Sequence, residues 1–136
     1  RAIAENKPWH PMEENTLADS IAVGVPRNAD KALMAIQESN GIVVNVSDAE
    51  IMAAQKLLGR TCGVFGEPAG VTGTAGVKKL CEQGVLGKND TVVSVVTGNG
   101  LKDVANAIKA CGEPITIPSD MDRLLKAFAE RDIHVE

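Results

Sequence analysis

Residues 91–100 read Thr91-Val92-Val93-Ser94-Val95-Val96-Thr97-Gly98-Asn99-Gly100. Four of the first six residues are valines and a fifth is threonine, so β-branched side chains dominate and the run predicts a strand. It is apolar at both odd and even positions, the pattern of a central parallel strand covered by helices on both faces. The chain then turns through Thr97-Gly98-Asn99-Gly100 at the strand's carboxyl end, where open α/β sheets bind their ligands. Two glycines let a backbone come close to a ligand, and the Thr97 hydroxyl and Asn99 amide supply hydrogen bonds. The same four residues also suit a plain strand-to-helix turn, and the residues alone leave both readings open.

Working outward, the elements alternate. Ile42-Val43-Val44-Asn45-Val46 and Ile115-Thr116-Ile117 predict two further strands, the second stopped by Pro118 as at a sheet edge. Helices are predicted from about Asn28 to Ser39, and from a capping box at Ser47 and Glu50 onward with Ile51, Ala54, Leu57 and Leu58 on one face. A small-residue helix packing through Ala75, Gly76, Val77 and Leu80 follows, with another from Leu101 to Ala110. A last helix is predicted with Ser119 as cap and Met121, Leu124, Leu125 and Phe128 as its stripe. Strands alternating with helices give an α/β fold with a mostly parallel sheet and helices on both faces. Residues 1–15, with Trp9 and His10 between Pro8 and Pro11, read as an extended lead-in, and 16–136 as one domain. Within it, Gly63-Val64-Phe65-Gly66 leads to Glu67-Pro68-Ala69-Gly70. Glu67 either faces a pocket or sits in solvent at a helix amino end, where the dipole favours a carboxylate.

Composition narrows the function. The 136 residues carry a net charge of −4, with 44% hydrophobic and 24% charged residues. A mildly acidic chain lacks the concentrated basic face that a nucleic-acid backbone requires, and 2% aromatics leave no base-stacking platform. No apolar run approaches the roughly 20 residues of a membrane span. Cys62, Cys81 and Cys111 are odd in number and widely spaced, which suits reduced thiols and a cytoplasmic location rather than a metal or disulfide framework. His10 and His134 lie near opposite ends and read as surface residues. Lys78 and Lys79 read as a solvated face. No paired carboxylates or partnered serine suggest acid–base or nucleophilic work.

In order along the chain, TLADSI (16–21), GVP (24–26), KAL (31–33), VSDAEI (46–51), GVFGEPA (63–69), TGNGLKD (97–103) and EPITIP (113–118) resemble the carboxyl-terminal third of the threonine synthase family. These are pyridoxal-phosphate enzymes of the tryptophan-synthase β-subunit fold type. TGNGLKD is the most specific piece. The resemblance implies a lyase reaction converting O-phospho-L-homoserine and water to L-threonine and phosphate. It places Thr97 near the pyridine nitrogen, Gly98, Asn99 and Gly100 along the pocket wall, and Glu67 at the rim or under the ring. It also implies that the Schiff-base lysine and the cradle for the cofactor phosphate lie upstream, in an amino-terminal part outside these 136 residues. On this view Lys102 is not the Schiff-base lysine, the chain alone is inactive, and its uncovered apolar surface associates with that missing part or with further copies in a homo-oligomer. A sister enzyme such as cysteate synthase acting on O-phosphoserine, and a non-catalytic α/β module that binds a small ligand or partner, are the alternatives.

Overall fold

The computed structural model describes residues 1–133, so the reading of His134 falls outside the described residues. Among the described residues six α-helices form: α1 (Ala2–Glu5), α2 (Ala29–Glu38), α3 (Asp48–Cys62), α4 (Pro68–Glu82), α5 (Val104–Cys111) and α6 (Met121–Ala129). Short 3₁₀ turns lie at Asp19–Ile21 and Gly100–Lys102.

The core sits where α3 and α4 pack together and the 16–21 segment closes over them. Ala18, Ile51, Ala54, Val71 and Ala75 are buried there, with Val46, Leu58, Ala69 and Val96 against them. The α3 stripe is turned slightly from its expected position. Leu57 is 44% exposed, and Gln55, one turn beyond Ile51, is fully buried in its stead. Ala75 and Gly76 of α4 are buried as the pattern predicts, joined by Gly70 and Val71.

The expected sheet is not formed by the described residues. Segments 42–46, 91–96 and 115–117 carry no strand ladder, and the one β-bridge among the described residues pairs Gly66 with Asn99, antiparallel. Residues 91–95 are all exposed. Val93 and Val95 are 85% and 73% exposed, whereas Val96 reaches the core. The expectation that this run is buried on both faces is therefore corrected: α4 covers one face only. Glycines make that approach close. A Cβ at Gly73 would stand 3.3 Å from Ser94 Oγ, and one at Gly76 would stand 3.2 Å from Val44 Cγ1.

Smaller corrections follow from side-chain chemistry. Asp120, not Ser119, caps α6, its Oδ1 accepting from the Arg123 amide at 2.9 Å. Half of the α6 stripe has no cover: Met121 is 67% and Leu125 51% exposed, while Leu124 and Phe128 are half-buried. The lead-in contains the one-turn α1, and Trp9 Nε1 donates to Asp30 Oδ1 at 2.8 Å. Lys79 is not simply solvated, since its Nζ lies 2.9 Å from Glu50 Oε1 and donates to the Asn45 carbonyl at 2.9 Å.

The predicted capping box is present. Glu50 Oε2 accepts from the Ser47 amide at 2.6 Å, and Ser47 Oγ accepts from the Glu50 amide at 3.3 Å. The Ser47 amide, with help from Lys79 and the Ser47 hydroxyl, lowers the Glu50 pKa from 4.5 to about 2. Folding thus favours the carboxylate. Its contribution is complete above pH 4.5 and is lost as the pH falls toward 2. Glu50→Gln is expected to flatten the acid limb of a plot of urea midpoint against pH over that window. Retention of the full wild-type slope would show that other carboxylates carry it.

Candidate active site

Two loops meet at the amino end of α4. The first leaves α3 at Gly63, which ends the helix in the left-handed conformation at φ 67°. It runs through Phe65 and Gly66 to Glu67, and Pro68 at the first helical position starts α4. The second is 97–100, where Asn99 Oδ1 accepts from the Leu101 amide at 2.9 Å and opens the 3₁₀ turn. Two backbone hydrogen bonds join them, Glu67 N to Gly98 O and Gly100 N to Phe65 O, each 2.8 Å. From beneath, the buried Gln55 donates through Nε2 to the Gly66 carbonyl at 2.7 Å, while its Oε1 has no partner among the described residues.

Glu67, Gly98, Asn99 and Gly100 are therefore brought together as the sequence predicts. The glycines' room is filled differently. A Cβ at Gly98 would fall inside the Glu67 carboxylate, and one at Gly100 inside the Phe65 ring. These glycines admit the protein's own side chains where the sequence suggests a ligand. Glu67 is 6% exposed, which removes the reading of a solvated carboxylate at a helix end. Its partner is Lys102, whose Nζ lies 3.3 Å from Oε1. Thr97, by contrast, is exposed, and its hydroxyl makes no hydrogen bond among the described residues.

Beside Glu67 opens a cavity of about 500 Å³, lined by Asp19, Ser20, Pro68, Ala69, Lys102, Asp103 and Asn106 as well as Glu67. Thr97 does not line it. Its walls are tied together. Asp48 accepts from the Thr16 hydroxyl at 2.6 Å and the Leu17 amide at 3.1 Å. Asn106 Nδ2 donates to the Leu17 carbonyl at 3.2 Å and to Asp103 Oδ2 at 2.7 Å. Asp103 Oδ1 caps α5 through the Asn106 amide at 3.1 Å. Sequence reasoning missed Asp19, Asn106 and Gln55. Gln55 lies four residues past Ile51 on a helix already predicted, but that spacing alone does not tell a buried glutamine from a solvated one.

The family of pyridoxal-phosphate dependent enzymes matches residues 1–98, which takes in the lead-in and the expected domain as far as Gly98. Curated relatives are threonine synthases. That of Methanosarcina acetivorans is 43% identical over 130 residues, covering 94% of this chain and 32% of the relative. That of Methanocaldococcus jannaschii is 47% identical over 115 residues, covering 85% and 28%. That of Synechocystis is 43% identical over 115 residues, covering 83% and 30%. The chain thus spans about a third of the length of the curated relatives it matches. No helix among the described residues is long and apolar enough to cross a membrane.

Proposed function

The chain belongs to the family of pyridoxal-phosphate dependent enzymes, and from that premise we propose that it is the carboxyl-terminal portion of a threonine synthase acting on O-phospho-L-homoserine. The observation that carries this reading is the identity of 43–47% to threonine synthases over 83–94% of the chain, a span that includes both joined loops. The donor set suits one edge of the cofactor. Thr97 presents a neutral hydroxyl with no other partner among the described residues, and a pyridine nitrogen can accept from it without being held protonated. In this reading Gly98, Asn99 and Gly100 form the wall beside the ring, and Glu67 borders it. Pyridoxal phosphate, when bound, supplies an electron sink for a substrate carbanion.

Lys102 is engaged with Glu67 at 3.3 Å, and in this reading the cofactor's amine is a different lysine. In this reading that lysine and the groups holding the phosphates come from polypeptide outside these 136 residues. The same polypeptide pairs with segments 42–46, 91–96 and 115–117 to complete a mostly parallel sheet. It covers Val93, Val95 and Ile42, which are 85%, 73% and 64% exposed. The enzyme works in the cytoplasm as a homo-oligomer, and residues 1–15 lead into a single domain over 16–136.

The test uses the full-length polypeptide carrying this segment, loaded with pyridoxal phosphate and given O-phospho-L-homoserine. Equal release of threonine and inorganic phosphate is expected. Thr97→Val is expected to lower kcat by about tenfold or more, the value of one lost hydrogen bond in a dry site, with the cofactor still attached. Unchanged kinetics would remove Thr97 from the ring nitrogen. Absence of both products would refute the substrate assignment.

A further inference from the structure

We propose that Lys102 is a positioning residue that latches the Glu67 carboxylate onto the Gly98 backbone and so fixes the shape of the 97–100 loop; as a statement about the cofactor wall this rests on the function proposed above. The two charges stand in unequal surroundings. The Glu67 side chain is 8% exposed and that of Lys102 62% exposed, with Nζ 3.3 Å from Oε1. Glu67 makes no helix-capping hydrogen bond with its side chain although it occupies the cap position of α4. Lys102 is the one cation within 4 Å of its carboxylate among the described residues. The neighbouring carboxylate, Asp103, makes no ion pair with Lys102 among the described residues and instead accepts from Asn106 through both oxygens.

The consequence follows from burial. A carboxylate that loses its only cation inside a protein must protonate, find another cation or move out to water. The open direction for Glu67 is the cavity it already lines. Moving there vacates the volume over Gly98 that the carboxylate now fills. The loop would then lose its cover at the point where Glu67 N and Gly98 O hold the two loops together at 2.8 Å. Lys102 reaches this carboxylate from the 3₁₀ turn that directly follows the loop. One ion pair therefore ties the loop's exit to the residue that covers its middle. Lys102 touches Glu67 and acts through it.

The experiment compares wild type, Lys102→Met, Lys102→Arg, Glu67→Gln and the Lys102→Met/Glu67→Gln double variant in the full-length polypeptide. Hydrogen exchange of the Glu67 and Gly100 amides is measured without cofactor, and pyridoxal phosphate affinity by absorbance titration. Lys102→Met is expected to speed exchange of both amides by about tenfold and weaken cofactor binding by about as much, with α3 amides unchanged. Lys102→Arg is expected to restore both. The double variant is expected to match Glu67→Gln alone, as two residues acting as one unit must. Unchanged exchange in Lys102→Met, failure of arginine to rescue, or additive effects in the double variant would each overturn the latch. Wild-type protein that binds no pyridoxal phosphate, with exchange behaving as stated, would refute the proposed function and leave the latch standing.

Discussion

Gln55→Glu is expected to destabilise the protein by about 4 kcal/mol at pH 7 and to recover much of that loss near pH 4, an estimate that takes a buried carboxyl shifted by about three pKa units at about 1.4 kcal/mol each. Gln55 is fully buried, and its Nε2 donates to the Gly66 carbonyl at 2.7 Å. A carboxylate has the same shape but no donor, so two oxygens would face each other in a fully buried site. The introduced carboxyl would therefore have a raised pKa in the folded state. A group raised on folding loses stability as the pH climbs above its unfolded value, so the deficit relative to wild type grows from pH 4 to 7. Once protonated, the carboxyl can donate to Gly66 as the amide does. Gln55→Met separates charge from hydrogen bonding. It leaves the Gly66 carbonyl without its partner but also removes the unpartnered Oε1, two effects of opposite sign and each about 1–3 kcal/mol. Urea denaturation of the three proteins across this range is the check. A pH-independent deficit in Gln55→Glu would mean that water reaches the site.

That residue also shows why the sequence was legible only in part. Local signals came through: the Ser47–Glu50 capping box and the α3 and α4 helices are where short-range patterns predict them, although α3 runs on through Gly59 to Cys62 before Gly63 ends it. A glutamine at the rotated edge of an apolar stripe is ordinarily solvated, so burial of Gln55 had to come from tertiary packing. The extended segments were predicted from β-branched runs, but a sheet is made of pairs, and pairing partners lie outside any local pattern. At the site, TGNGLKD drew attention to the right loop. It did not reveal that Glu67 and Phe65, more than thirty residues earlier, occupy the space its two glycines leave. Nor did it distinguish Lys102 as a partner of Glu67, because a lysine two residues past a glycine looks the same whether it faces water or a buried carboxylate.

Gly66→Ala is expected to cost about 3 kcal/mol, at the upper end of the range for overpacking a core. The added Cβ would stand 2.5 Å from Val96 Cγ1 and 2.7 Å from Val71 Cγ1. Neither neighbour can yield cheaply. Both are β-branched and stiff at χ1. Val71 is fully buried among Ile51, Ala54 and Ala75, and Val96 ends the 91–96 run that delivers Thr97. Moving Gly66 instead would strain the pairing that joins the two loops, since Glu67 N and Gly100 N each donate across it at 2.8 Å. Gly63→Ala makes the contrast. Nothing lies within 4 Å of its Cβ position, but its φ of 67° is left-handed, so its cost of about 1 kcal/mol is conformational and leaves the core untouched. A double-mutant cycle with Val71→Ala tells the two mechanisms apart. Val71→Ala alone opens a cavity, but beside Gly66→Ala the freed volume receives the new methyl. The double variant should therefore be more stable than the sum of the single losses, by about 1 kcal/mol or more. Gly63→Ala combined with Val71→Ala should simply add. Additivity in the Gly66 cycle as well would show that the strain at this position is carried by the backbone pairing with Asn99 and not by the valine pair.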